Sequence, residues 1–438
     1  MRFIKIHYLL LFWVMTISGL SQGSAAENTT VARAGMTKVS KITLVGLQRT
    51  KPKVVLREIT FSEGDWIPAD AIKESVQNLK NLELFSEVRP YLELQADKSV
   101  HIRFELAEKW TTIPYLSYAE GGGTVHIRGG AYDINVFGKY IELGAEYESL
   151  NGTGSGFLWY RNPRLFNQRL NLLVVAGTHA RPRKIYKEGV EQYRFGQEQE
   201  EGYFILKKEF SRDFTLGLSY RISSDMFSDL KPDKEEAGRF SEQLNYNERY
   251  EAQSYTFIAA YGKLDFDSFL VKGREYRLDI VSSRSDTGNL NYTQFISENK
   301  FFYPLRWHSN LASRLIVSTI DTNSLFRNNY VGGLTHVRGY YDGQFLGSSY
   351  WLANLEYRVP SMNNSWVVLQ HIFFVDVAQV RDRFRELDLS GEQTYSSVGL
   401  GIRFIIPKIY RFNGRLDIAF PNSKTGASGI SIGAQQFF

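Results

Sequence analysis

The chain has 438 residues, no cysteine, 26 Tyr, 30 Phe, 7 Trp and a formal charge of +5. The lack of cysteine excludes disulfide staples, thiolate metal sites and a lipid anchor on an N-terminal cysteine. The mild basic balance is spread among 47 acidic residues and does not point to nucleic acid.

The first predicted element is an export signal over residues 1–26. Arg2 and Lys5 give a positive start, and Leu9 to Leu20 is a short, mostly apolar run. Ser24-Ala25-Ala26 then offers small residues for cleavage before Glu27. The run is shorter than the roughly 20 residues that span a bilayer as a helix. A short segment, 27–38, follows, and no later run is apolar over a helix-spanning length. The mature chain is therefore either soluble in an exported compartment or held in a membrane by strands, since only helices and closed barrels satisfy their backbone in lipid.

Residues 39–110 read as a small α+β module. KITLVG (41–46) is a predicted strand ending at Gly46, and Pro52 opens a short predicted helix to Ile59. In PADAIKESVQNLKN, Ile72, Val76 and Leu79 recur on one helical face. VRPYLEL (88–94) and SVHIRFEL (99–106) read as a hairpin, with Val100, Ile102, Phe104 and Leu106 alternating with polar residues. The predicted order is β-α-α-β-β.

From residue 111 to 438 the helical period gives way to alternation. In YIELGAEYES, Ile141, Leu143, Ala145 and Tyr147 alternate with Glu142, Gly144, Glu146 and Glu148. REYRLDI sets Tyr276, Leu278 and Ile280 against Glu275, Arg277 and Asp279, and RLDIAF sets Leu416, Ile418 and Phe420 against Arg415, Asp417 and Ala419. LRWHSNLASRLIVS reads likewise, with His308 on the polar face toward the lumen. We count about sixteen such strands, each near the length a tilted membrane strand needs. Every second connection is short (YRNPRLFNQR, SRD, YPL, PSMNNS, PKIYRFN), while residues 179–201, 222–253 and 321–348 are predicted as long polar loops. Short turns on one side and long loops on the other are the habit of outer-membrane barrels. Interfacial girdles suit the aromatic content, and Phe438 ends the chain without a polar tail. An even-stranded barrel that starts and finishes on the periplasmic side is expected.

The glycine-rich pieces GGGTVHIRGG (121–130) and NGTGSGF (151–157) precede no helical pattern and lack phosphate-loop spacing, so they read as strand ends or bends. No catalytic residues are predicted. GTGSG is not GxSxG, KTG (424–426) stands alone, and the seven histidines show no HExxH or other metal spacing. KPDKEEAGR (231–239) reads as a solvated loop.

The remaining motif is VRGY, Val337-Arg338-Gly339-Tyr340, in the long loop 321–348. Left in an external loop, the arginine would sit in water. In WLANLEYRV, Trp351, Ala353, Leu355, Tyr357 and Val359 would face lipid, which turns Asn354, Glu356 and Arg358 inward. HIFFVDVAQV (371–380) carries Asp376 among apolar neighbours, where a carboxylate is expected only on an inward face. A loop folded into the barrel would bring Arg338 to Glu356, Asp376 or both, with Gly339 allowing a tight turn beside it. Arg338→Ala would then strand both carboxylates without a cation.

VRGY, Glu356 in WLANLEYRVP and Asp376 in HIFFVDVAQV resemble the three best-known barrel motifs of the Omp85 superfamily of outer-membrane assembly and secretion barrels. VGLQRT, ITFSEGD, LKNLELFSEV and IRFELAEKW resemble, in order, one polypeptide-transport-associated (POTRA) domain over residues 39–110. The resemblance covers nearly all of the mature chain. It implies a periplasmic POTRA domain and, over residues 111–438, a sixteen-stranded antiparallel barrel of the outer membrane. The first and last strands, Ile113–Ala119 and Ile430–Phe438, would part sideways toward lipid. Ile430, Ile432, Gly433 and Phe438 resemble the family's C-terminal assembly signal, although Gln436 stands where an apolar or aromatic residue is usual. General assembly factors usually carry several POTRA domains, and this chain has room for one.

The resemblance implies a non-enzymatic factor without cofactors that captures extended clients on the POTRA domain and inserts them at the seam. The implied partners are unfolded outer-membrane proteins or a secreted client, outer-membrane lipid, and accessory periplasmic or lipoprotein subunits. The alternatives are a dedicated secretion pore for a partner protein, whose relatives usually add a second such domain and a plug helix, and a passive channel.

Overall fold

The computed structural model describes residues 36–434, save 122, 188, 232–247, 268, 289, 323, 382–393, 409–412 and 424–428. The expected signal peptide, most of the 27–38 segment, most of the 231–239 charge run, KTG at 424–426, Gln436 and Phe438 lie outside the described residues.

The N-terminal module contains β1 (Met36–Val45), α1 (Pro52–Leu56), β2 (Trp66–Pro68), α2 (Ala69–Asn81), β3 (Phe85–Leu94) and β4 (Val100–Glu108). Its sheet runs β2-β1-β4-β3, with β1 parallel to β4 and the other pairs antiparallel. Pro52 begins α1, where its missing N–H costs nothing. The short β2 is absent from the sequence reading, because three residues are too few to show a period. Val39, Val55, Leu79, Ile102 and Phe104 form a core that continues into Ile113 and Ile134 at the base of the barrel.

Sixteen strands then close into a barrel. The first eight are β5 (Thr112–Gly121), β6 (Thr124–Asp133), β7 (Glu142–Leu150), β8 (Thr153–Asn162), β9 (Leu170–Lys187), β10 (Val190–Glu209), β11 (Phe214–Lys231) and β12 (Arg249–Asp267). Next come β13 (Leu270–Ser285), β14 (Tyr292–Pro304) and β15 (Asn310–Asp321). A small hairpin, β16 (Asn329–Val331) and β17 (Phe345–Gly347), lies within the following loop and is not part of the wall. The wall finishes with β18 (Ser349–Asn363), β19 (Val368–Arg381), β20 (Thr394–Ile405), β21 (Asn413–Pro421) and β22 (Ile430–Ala434).

The barrel is a soluble protein turned inside out. Leu116, Tyr147, Leu158, Leu218 and Phe420 are each 59–82% exposed on the outer face, while Glu356, Asp376, Arg403 and Asp417 are fully buried inside. Such a surface is stable only against hydrocarbon. Phe137, Phe166, Phe210, Trp307 and Trp366 sit exposed in five module-side turns, forming a one-sided aromatic girdle. Three of them, Phe137, Phe166 and Trp307, hold left-handed backbone at φ 54°, 54° and 56°. That conformation is strained for a bulky residue.

Three expectations need correction. Residues 179–201 are not a loop: β9 and β10 are 18 and 20 residues long and meet in a tight turn. Likewise β11 and β12 take up both flanks of 222–253. Strands that rise beyond the lipid have no hydrocarbon to face, so their apolar alternation fades and they read as loops. His308 does not line the lumen; it is exposed in the turn before β15, at φ 55°.

The module is fastened to the barrel mouth at three turns. Arg49 pairs with Asp133, Thr50 Oγ1 accepts from Asn135 Nδ2 at 2.9 Å, and the Lys51 N–H donates to Gly138 O at 2.9 Å. A Cβ at Gly138 would sit 2.0 Å from Arg49 O, so only glycine permits this approach. Glu58, two residues past the end of α1, holds Arg164 of the β8–β9 turn through Nε and Nη2 at 2.7 and 2.9 Å. On α2, Lys80 and Asn81 reach Asp267 and Asp265 at the end of β12.

Candidate functional site

The loop between β15 and β18 folds into the lumen. Its Arg338 is buried beside the inward faces of β18, β19 and β21. Alternation puts Asn354, Glu356 and Arg358 on the inner face of β18 and Asp376 on that of β19, while Leu355 and Val375 point out. Cross-strand register sets Asn354 opposite Asp376.

Arg338 grips Asp376 with both ends of its fork, Nε to Oδ2 and Nη2 to Oδ1, each at 2.8 Å. Its backbone N–H donates to the same Oδ2 at 3.1 Å. Nη1 donates to Glu356 Oε1 at 2.7 Å and to Asp417 Oδ2 at 3.4 Å. The guanidinium plane lies 3.5 Å from the Phe374 ring centroid, so its remaining face is covered by an aromatic quadrupole. All three guanidinium nitrogens donate, in a forked geometry that a lysine could not reproduce.

The surrounding network is larger than the sequence reading. Arg358 pairs with Glu356 at 2.7 Å, and Arg403 pairs with Asp417 at 2.6 Å and reaches Glu356 at 3.5 Å. Arg415 stands 3.7 Å from Asp417. Asp417, Arg403 and Arg415 are therefore members that the motif search passed over. Their signal was present: Arg415 and Asp417 lay on the polar face of RLDIAF, but nothing in the sequence aligned that strand with the loop. Arg314 braces the loop backbone, donating to Thr335 O at 2.7 Å and to Asn354 Oδ1 at 2.9 Å.

The rest of VRGY has separate duties. Val337 is fully buried. Gly339 has φ 87° and faces Ala419 and Pro421 of β21 so closely that a Cβ would lie 3.2 and 3.1 Å from them. Tyr340 Oη donates to Ser396 O at 2.9 Å and lies 2.8 Å from Asn422 Oδ1, tying the loop to β20 and the end of β21.

The barrel closes where β22 meets β5. Among the described residues this pairing has one register position, Ile432↔Glu120. The neighbouring β5–β6 pair runs in register over all ten residues of each strand. Ile430 and Ile432 face outward, about half exposed, and Gly433 lies against the Arg415 guanidinium. Pro114 within β5 has no N–H to offer a ladder, as suits an edge strand.

The family model described as the Omp85 superfamily domain matches residues 135–437. The chain belongs to the Omp85 superfamily. A POTRA model, described as the surface antigen variable number repeat, matches residues 37–109. Among solved structures, this Omp85 chain is similar to BamA from Haemophilus ducreyi lacking POTRA domains 1–3. There the identity is 15%, the TM-score 0.57, and the match covers 91% of this chain and 84% of that one. CdiB from Acinetobacter baumannii matches with 14% identity and a TM-score of 0.59 over 92% of this chain and 74% of that one. CdiB from Escherichia coli matches with 10% identity and a TM-score of 0.54 over 96% and 93%. None of the curated proteins matches by sequence. At these identities the structural neighbours establish the shared Omp85 fold, a POTRA-type module followed by a sixteen-stranded barrel.

Proposed function

We propose that this Omp85 protein inserts or translocates protein clients at the outer membrane, with its barrel in the lipid and its POTRA domain in the periplasm. The observation that carries this reading is the contrast between two parts of one wall. Strands β18–β21 are riveted to an internal loop by a fully buried charge network, while the adjacent β22–β5 closure has one described register position. A barrel built for passive diffusion has no use for that combination.

A client strand entering lipid must keep its backbone groups paired. An edge that parts at β22–β5 offers such pairing strand by strand, and the Arg338 network keeps the neighbouring strands in register while it does so. The exposed β3 edge of the POTRA sheet presents Leu92 and Leu94, 57% and 75% exposed, where an extended client can add as a further strand. No bond is made or broken, so the function needs no catalytic residue. Unfolded outer-membrane proteins are the proposed clients. A secreted partner passing through the lumen is the second reading, and accessory subunits would dock on the POTRA face.

The test uses purified protein in liposomes and follows the folding of an added unfolded β-barrel protein. Acceleration that falls in the Arg338→Ala variant supports insertion with the loop network at its centre. Absence of acceleration for several clients would overturn the insertion reading in favour of a dedicated secretion partner.

A further inference from the structure

A cavity of about 310 Å³ lies at the barrel mouth away from the POTRA domain. Strand β9 lines it with Arg181, Arg183 and Lys184, and the β5–β6 and β7–β8 hairpin ends with Thr124 and Asn151. The loop between β15 and β18 covers another side, through residues that include Asn328 and Tyr330.

Charge in this cavity does not balance. Asp342 is the sole acidic residue among the described lining residues, against three basic ones on β9. Lys184 is answered by Glu191, 3.6 Å away. Arg181 and Arg183 form no ion pair among the described residues. The Arg181 guanidinium has one hydrogen bond, from Nη2 to His179 Nδ1 at 3.4 Å. Arg183 has one, from Nε to Gln197 Oε1 at 3.3 Å, which leaves both Nη atoms without a partner among the described residues. Glu148 and Glu201, which line the adjoining cavity with Arg181, are already shared with His126, His179 and Arg221. The contrast is with Arg338, whose three nitrogens all meet carboxylates.

The two arginines are also placed to act together. Residues two apart on a strand share a face, so both side chains leave β9 on the same side. The Arg183 guanidinium rests 4.7 Å from the Tyr330 ring centroid, and this contact with Gln197 fixes it in place. Two enclosed cations without counter-charge repel each other and lose hydration, and an anion seated between them removes both costs.

The donor set favours an oxyanion over a halide, because a planar guanidinium presents paired N–H groups that match two oxygens. Asn328 Oδ1 is buried without a hydrogen-bond partner among the described residues. Turning that amide over puts its NH₂ at the same point as a further donor. The volume is at the small end of the roughly 300–1,000 Å³ of small-ligand sites, which suits one phosphate group and its waters rather than a length of client chain.

We propose that Arg181 and Arg183 form a binding site for a phosphate-class oxyanion, supplied as the free ion or as a lipid headgroup. The site requires no movement of the loop and no particular client.

The test titrates inorganic phosphate into the full-length protein in neutral detergent micelles by calorimetry. Chloride is the balancing anion, at constant pH and ionic strength. Arg181→Gln and Arg183→Gln should each weaken phosphate binding about tenfold or more. Lys139→Gln, in the exposed β6–β7 turn, should bind as the parent does. Folding of each variant is checked by heat-resistant gel mobility. If the arginine variants do not fold, the parent decides alone: phosphate should raise its thermal unfolding temperature above that in chloride. Repeating the titration in micelles containing phosphatidylglycerol separates the two sources. Loss of the phosphate heat there assigns the site to a headgroup, and an unchanged heat assigns it to the free ion. Folded arginine variants that bind phosphate like the parent would overturn the proposal. So would a parent that neither binds phosphate nor is stabilised by it beyond chloride.

Discussion

At the residue scale, the expected effect of losing Arg338 divides between its partners. The sequence reading has Arg338→Ala stranding both Glu356 and Asp376. In the structure Glu356 keeps Arg358 and Arg403, while Arg338 is the one cation paired with Asp376 among the described residues. The damage therefore concentrates on Asp376. Arg338→Ala should lower barrel stability by about 3–5 kcal/mol, the usual cost of leaving one buried charge alone. Adding Asp376→Asn should recover much of that loss, whereas Glu356→Gln in the same background should not. Urea unfolding midpoints of the three variants in detergent micelles check this ordering. Gly339→Ala is a separate case, because it acts through backbone strain at φ 87° and contact with β21. It should cost about 1–3 kcal/mol. Limited proteolysis of the loop should show the docking loosened with every ion pair still available.

At the element scale, legibility followed how each element is stabilised. Helix α2 was readable because its one-sided apolar period is local, and β4 and β21 because they alternate cleanly between two contrasting surroundings. The long β9–β12 hairpins were partly missed because half of each lies where water or other loops replace lipid. VRGY, Glu356 and Asp376 could be linked by strand parity alone. Arg403 and Asp417 could not, since their place beside Arg338 depends on barrel closure bringing β20 and β21 around to the loop. The docking of the module was likewise invisible, as its side-chain contacts join residues 84 to 187 positions apart. Glu58 and Arg164 are the least exposed of the ion pairs among them, joined by two hydrogen bonds of 2.7 and 2.9 Å. Removing this charged pairing with Arg164→Ala should cost about 1.5–3 kcal/mol of docking energy. Hydrogen exchange should rise in α1 and in the Leu165–Asn167 turn and stay unchanged in β18–β20. Equal protection in parent and variant would mean that the core shared through Ile113 and Ile134 holds the module unaided.

At the scale of the whole molecule, the fold places a stiff region beside a weak one. The lumen loop is fixed to β18, β19 and β21 through Arg338, the POTRA domain is fixed to three turns below, and among the described residues the β22–β5 pairing has the shortest register in the ring. On the proposed reading, the Arg338 network stabilises the wall beside the closure, and the closure is where the barrel opens. That arrangement is what the proposed role, handing a client strand into lipid, requires of this Omp85 protein. Ile432 and Glu120 are paired across the closure, and the absence of native cysteine makes a Glu120→Cys/Ile432→Cys pair the sole disulfide. The decisive measurement is client folding into liposomes by this variant, oxidised and then reduced. The account predicts that oxidation abolishes the acceleration of client folding and reduction restores it, with the barrel folded in both states. Undiminished acceleration by the stapled barrel would contradict it.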